Sequence, residues 1–369
     1  MIYLNNAATS FPKPACVAEA VSKALQNLPG EHLRGGFGSE DVFREVRKEL
    51  CAVLGVKSPE QIALGPNATW ALNTAIFGLG IRAGETVVAT KAEHNSVLRP
   101  LRRLEETGVR VILLDVDSTG RVDPEVWERA MNDYRPRLAI FSHASNVTGA
   151  INHPAPLCRS AHSVNAIILM DSSQTIGCIP EDTEEYSADM VAFTGHKYLL
   201  GPQGTGGLWT RPGLELTPYL IGGTGVRSDL PTMPREMPLH LEAGTGNEPS
   251  FAGLLAALRW QRENPLCAEE LSQKTRYLTE GLQRAGANVI VPSGLTTPVV
   301  SFTVPGMEAS EAGYLLQESC GIVCRTGLHC APEIFSCIGV PETVRFSLSR
   351  FTDDKEIDAV IQAVEDISQ

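Results

Sequence analysis

No stretch of about 18 consecutive apolar residues occurs in the 369 residues, so nothing in the chain reads as a membrane-crossing helix. Positive charge is also short. Lys and Arg number 31 against 43 Asp and Glu, a net of −12, which argues against nucleic acid as a partner. The opening Met1-Ile2-Tyr3-Leu4 soon turns polar and then meets proline, so no signal peptide is expected and the expected location is cytoplasmic. An even cysteine count is missing too: the nine cysteines read as reduced thiols. Asn67-Ala68-Thr69 and Asn146-Val147-Thr148 fit a glycosylation pattern that a cytoplasmic chain does not put to use. A dinucleotide fingerprint is absent, because Gly78-Leu79-Gly80-Ile81-Arg82-Ala83-Gly84 is one residue too long and follows a helical pattern. Internal repeats and low-complexity tracts are lacking.

What the chain has is ordinary globular composition, 43% hydrophobic and 20% charged, with length enough for two units. A strand is expected at residues 2–4 and helices at 16–28 and 40–54, around a glycine segment at 34–38. Strand-like runs then fall at 62–64, 86–90, 109–114, 138–142, 166–170, 190–193 and 207–210. Helical patterns at 69–77, 97–106 and 124–132 alternate with the first of them. This predicts an α/β fold with a mainly parallel seven-stranded sheet between helices. Residues 212–249 read as a long Gly- and Pro-rich excursion, and 251–263 as a connecting helix. Beyond it the rhythm changes: helices at 268–285, 309–318 and from Asp354, strands at 289–291, 299–304, 322–325 and 344–348. The expected division is a large unit of residues 15–250 and a smaller α+β unit of 1–14 with 251–369.

Ligands of parallel sheets sit at the carboxyl ends of the strands. Asn67, Thr69, His94, Asn146, Asp171 and Lys197 all fall there. Lys197 follows the apolar run ending Phe193-Thr194-Gly195-His196, where a charged amine is costly unless it is paired or chemically used. Such lysines form Schiff bases with carbonyl compounds, although a lysine snorkelling to solvent is the ordinary alternative. Asp171 ends the neighbouring run, where it could be a helix cap. Together, a Schiff-base lysine and a carboxylate that keeps a pyridine nitrogen protonated suit pyridoxal phosphate. Gly65-Pro66-Asn67-Ala68-Thr69 opens a helix whose free N–H groups suit an anion, or are simply capped.

Asp171-Ser172-Ser173-Gln174, Thr194-Gly195-His196-Lys197 and Arg325-Thr326-Gly327-Leu328-His329-Cys330 carry a resemblance that runs almost end to end. The chain resembles the class V, fold type I pyridoxal-phosphate enzymes, and within them the cysteine desulfurases and selenocysteine lyases. The short interval from Cys330 to Arg345 resembles the second desulfurase group, whose active loop is short. The resemblance implies a phosphate cup from Asn67, Ala68, Thr69, Thr194 and His196. It implies His94 stacked on the cofactor ring and Gln174 beside its phenolic oxygen. Thr245 would reach the other subunit's phosphate in a homodimer. Asn146, Arg325 and Arg345 would face the substrate, L-cysteine or L-selenocysteine, with Arg345 on its carboxylate.

Cys330 matches the persulfide-forming cysteine and would pass sulfur to an acceptor protein. It stands in a loop beside His329 and near Arg325, so an exposed, reactive thiol is expected. Cys320 and Cys324 are expected to be buried structural thiols. A metal is not expected, since the spacings of Cys320, Cys324, Cys330 and Cys337 fit no common zinc pattern. The implied activity is conversion of L-cysteine to L-alanine. Selenocysteine lyase, another class V aminotransferase or β-lyase, and a non-catalytic sulfur-carrier partner are the alternatives. In glycine segment 34–38 a plain loop is expected, although the resemblance puts a substrate-side loop there.

Overall fold

The computed structural model of the chain describes residues 1–27 and 41–369. The glycine segment at 34–38 lies outside the described residues, as do residue 28 of the first expected helix and residue 40 of the second. The chain runs β1 (Ile2–Tyr3), α1 (Ala15–Gln26), α2 (Val42–Leu54), β2 (Ile62–Gly65), α3 (Ala68–Gly78), β3 (Thr86–Thr90), α4 (Asn95–Glu105) and β4 (Arg110–Leu114). It continues with α5 (Pro124–Tyr134), β5 (Leu138–Ser142), α6 (Pro154–Ser163), β6 (Ile167–Asp171), α7 (Thr183–Tyr186), β7 (Met190–Thr194) and β8 (Gly206–Thr210). After a long irregular stretch come α8 (Glu248–Glu263), α9 (Ala268–Arg284), β9 (Asn288–Val289), β10 (Val299–Thr303) and α10 (Ala309–Cys320). Last are β11 (Ile322–Val323), β12 (Arg325–Gly327), α11 (Phe335–Ile338), β13 (Thr343–Ser347) and α12 (Asp354–Ser368).

Seven strands form one sheet in the order β2-β8-β7-β6-β5-β3-β4. Only β8 runs against its neighbours; the other pairings are parallel. The alternation of side chains along β5 and β6 feeds two cores. Leu138, Ile140 and Leu169 enter one with Val87 and Leu101, while Phe141 and Ile168 enter the other with Trp127 and Phe193. With both faces buried, the strands read as unbroken apolar runs. Each such side chain contributes ~1.5–3 kcal/mol by leaving water. Helix α6 is not among the helices expected from the sequence, and it opens on Pro154 and Pro156. They stand in its first turn, where the missing N–H groups have no helical partner to lose.

Antiparallel β12-β13-β10-β9 form a second sheet, and β1 pairs in parallel with β11. The single run expected at 322–325 is therefore two strands: Ile322–Val323 follows β1, and Arg325–Gly327 joins β13. A third core of Leu4, Leu278, Leu282, Phe302, Phe346 and Val360 lies here, with the Phe302 and Phe346 rings 4.9 Å apart. Phe251, Leu254 and Leu258 of α8 pack instead into the core on the seven-stranded sheet.

One irregularity of the large sheet positions the site. β3 and β5 pair only through Val87↔Leu138 and Val88↔Ala139, whereas β3–β4 and β5–β6 are in register along their whole lengths. From this point the chain order runs outward through β5, β6, β7 and β8 on one side and β3 and β4 on the other, with only the edge strand β2 out of sequence, which makes it the sheet's switch point. The strands stop pairing toward their carboxyl ends, and a crevice forms there.

Candidate active site

A cavity of ≈ 220 Å³ lies at these strand ends. Its walls bring together Asn67, Ala68, Thr69, His94, Asn146 and Asp171 with Gln174, Thr194, His196, Lys197, Arg325 and Arg345. Thr245 is not among them. It is exposed, in a separate groove with Phe43, Trp70 and Leu241.

Asn67 caps α3 by accepting the Trp70 N–H at 2.9 Å, which leaves the first amides of the helix available to an anion. β8 passes close behind this cap because Gly206 has no side chain: a Cβ there would lie 2.8 Å from Asn67 Cα. His94 caps α4, its Nδ1 accepting the Ser96 N–H at 3.1 Å. That nitrogen therefore carries no proton, and the proton of the neutral ring sits on Nε2. Burial, reinforced by Lys197, lowers the His94 pKa to about 4, so the ring is an uncharged plate. His196 is likewise lowered to about 4, by burial and then Lys197.

Lys197 faces the cavity, yet the surrounding walls desolvate its amine and bring it down to about 8, with Asp171 opposing that shift. Asp171 is buried at the end of β6 and accepts the Ser173 N–H at 2.9 Å. Gln174 donates from Nε2 to the Ala7 carbonyl at 3.1 Å.

On the other wall, Arg325 and Arg345 stand directly opposite each other across β12 and β13. Like charges in that register repel. Neither guanidinium has a carboxylate within ion-pair distance among the described residues. Arg345 is fully buried, its Nη1 donating to the Asn146 carbonyl at 2.7 Å and Nη2 to Asn5 Oδ1 at 3.2 Å. Burial and then Arg325 lower it to about 10, and its Nε has no partner. Two facing cations without a counter-ion among the described residues could hold a small carboxylate.

Cys330 stands behind Arg325, whose Nη2 donates to Sγ at 2.9 Å. The thiol is half-buried rather than exposed. His329 and Cys330 both take left-handed backbone, φ 49° and 61°, so the turn is tight. It is held from outside: Asn95 N–H donates to the Cys330 carbonyl at 2.7 Å, and Asn146 Nδ2 to the His329 carbonyl at 2.8 Å. Asn146 thus spends its amide on the turn. His329 does not serve the thiol as expected. Its Nε2 pairs with Thr343 Oγ1 at 2.9 Å, and burial drives its pKa down to about 2. Cys324 is half-buried and raised to about 11 by burial, whereas Cys320 is exposed at the end of α10, against expectation. A helix C-terminus followed by Gly321 leaves that last side chain in water.

The Aminotransferase class-V family matches residues 2–360. The chain belongs to this class-V family. It is 30% identical over 383 residues to a probable cysteine desulfurase of Methanothermobacter thermautotrophicus, covering 100% of this chain and 94% of that one. An apo cysteine desulfurase of Thermococcus onnurineus is similar in structure at TM-score 0.90 and 29% identity, over 100% of this chain and 94% of that one. An Escherichia coli cysteine desulfurase in its S-sulfonic acid form follows at TM-score 0.87 and 26% identity, over 99% and 94%.

Pyridoxal phosphate is the cofactor of this class-V chain, and the residues present fit it. Ser173 Oγ, Gln174 Oε1 and His196 Nδ1 are buried in or beside the cavity without partners among the described residues. Unsatisfied polar atoms of this kind call for a polar ligand. The α3 amides with Thr69, Thr194 and His196 could take its phosphate, Asp171 its ring nitrogen, and Lys197 its carbonyl carbon. Sequence reasoning passed over Glu93 and Ser142. Glu93 precedes a residue that drew all the attention, and Ser142 is one hydroxyl ending an apolar strand.

Proposed function

We propose that the protein is a cysteine desulfurase that takes sulfur from L-cysteine, leaves it as a persulfide on Cys330 and releases L-alanine. One observation carries the reading: the guanidinium that lines the Lys197 cavity is also the one that donates to the Cys330 sulfur. Amine and thiol serve a single pocket.

Bound pyridoxal phosphate supplies an electron sink for the bonds of the substrate's α-carbon. The rest falls to side chains of the chain itself. Arg345 and Arg325 hold the substrate carboxylate, a planar anion that matches their forks. Lys197, with its amine brought down to about 8, moves the α-proton near neutral pH. His94 offers a neutral flat ring. Cys330 Sγ attacks the substrate sulfur; an S–S bond forms as the C–S bond breaks, and the carbon side keeps the electron pair and gains a proton. L-Cysteine and a thiol enter; L-alanine and a persulfide leave. A thiol acceptor, for which a protein is the expected source, then regenerates Cys330.

Thr245 is read as reaching the site of a second copy in a homodimer. Support comes from its exposure and from an apolar groove beside it that includes Leu220, Val226 and Phe251.

The test is alanine release from L-cysteine under reductant, native protein against Cys330→Ala. Alanine from the native protein and almost none from the variant supports the reading. Equal release from both would falsify the role of Cys330, and no release from either would sink the desulfurase activity in favour of selenocysteine or amino-group transfer.

A further inference from the structure

We propose that Glu93 is a positioning residue for the cofactor cavity: its carboxylate clasps β3 to β5 where they stop pairing and holds the His94 turn in register with Asp171. The inference rests on reading the cavity as a pyridoxal-phosphate site.

Glu93 lies between the end of β3 and the start of α4 and is 0% exposed. Its Oε1 accepts the Thr90 hydroxyl at 2.6 Å and the Ser142 N–H at 3.0 Å, and its Oε2 accepts the Ser142 hydroxyl at 2.8 Å. Thr90 ends β3 and Ser142 ends β5. Between those strands the last paired residues are Val88 and Ala139, so the carboxylate bridges the stretch that lacks backbone pairing. In its ionised form it is an acceptor on both oxygens and a donor on neither, and so matches three converging donors.

The clasp connects two walls of the cavity. Ser142 is the register partner of Asp171 in the β5–β6 pairing, and His143 N–H donates to the Asp171 carbonyl at 3.0 Å. On the other side, Glu93 is bonded through the chain to His94, whose ring is locked as the α4 cap. The path from His94 through Glu93 and Ser142 to Asp171 therefore has no loose joint.

A carboxyl here is a demanding choice. No cation lies within ion-pair distance of Glu93 among the described residues, and burial pushes it up to about 7 despite the donors of Thr90 and Ser142. An apolar residue would pack the same space without that penalty but would leave the Ser142 amide and the donor hydrogens of two hydroxyls without an acceptor.

The experiment compares native protein, Glu93→Ala and Glu93→Gln. Cofactor-free chains are first compared by circular dichroism and melting. Pyridoxal-phosphate affinity is then measured by equilibrium dialysis, together with the pH midpoint of the bound cofactor's visible band. Glutamine keeps an acceptor for Thr90 and the Ser142 amide, and its Nε2 can donate to the Ser142 hydroxyl. Folded Glu93→Ala is expected to bind roughly 10-fold weaker or worse, with a displaced midpoint, and Glu93→Gln to recover to within about 3-fold. Native affinity and midpoint in Glu93→Ala would overturn the inference. If that variant does not fold, Thr90→Val removes one donor at similar volume, and native affinity and midpoint there overturn it equally. A native chain that takes up no pyridoxal phosphate overturns the cofactor reading and this inference together. Native uptake without alanine release overturns the desulfurase reading alone, since the dialysis readout needs no turnover.

Discussion

Lys197 lines the pocket and Cys330 is bonded to a guanidinium that lines it, and the two are placed by opposite means. Lys197 stands just past a strand that is buried on both faces, next to a parallel neighbour that ends in Asp171. Its place follows from the large sheet, and its pKa is depressed chiefly by burial. Cys330 belongs to a left-handed turn beyond a three-residue strand, with no sheet of its own to fix it. It is held by Asn95, Asn146 and Arg325. The amine is fixed by core packing and the thiol by a few hydrogen bonds. Disturbance should therefore be all-or-none on one side and graded on the other.

The largest expected effect comes from removing the amine. Lys197→Ala should lower alanine release by about 10²–10⁴-fold or more, as loss of a positioned proton-transfer group does, and should leave pyridoxal phosphate removable by dialysis. A Lys197→Ala protein that retains most of its turnover would break the comparison. Next is pH. Below a pKa of about 8 the amine is protonated, so its reactive form is lost as pH falls. Attachment of pyridoxal phosphate to the cofactor-free chain should quicken about 10-fold for each pH unit toward 8 and level off above it. Stopped-flow absorbance checks this; a rise continuing toward pH 10 would mean an ordinary lysine. Smallest is Asn146→Ala, which removes one restraint on the thiol turn. At about 1 kcal/mol for a lost hydrogen bond, persulfide formation should slow roughly 5-fold while cofactor retention stays native. A mass-spectrometric time course of the Cys330 adduct reads it.

The same contrast explains what the sequence disclosed. Strands 86–90 and 138–142 were legible to the residue because continuous burial writes itself as an apolar run. Lys197, Asp171 and His94 were legible as polar residues set where such runs end. The surroundings of Cys330 were not. Nothing in the local spacing says that His329 turns to Thr343 while Arg325 takes the sulfur, because both choices depend on the register of β12 against β13. Burial of Cys320 was misjudged for a related reason: α10 runs past the expected end at 318, so Cys320 closes a helix at the surface. Glu93 escaped notice because its partner Ser142 lies 49 positions away.

The N-terminal segment has a consequence for the order of events during synthesis. The Ser347 N–H donates to the Leu4 carbonyl, Asn5 accepts from Arg345, Ala7 accepts from Gln174, and Ser10 N–H donates to the His196 carbonyl. Asn5 and Arg345, 340 positions apart, are thus bonded at one cavity. The large sheet can assemble as its strands emerge, but the pocket has no complete wall until Arg345 has emerged as well. A nascent chain stalled short of Arg345 would carry its lysine, its aspartate and both core faces, and still lack the buried guanidinium that faces Arg325.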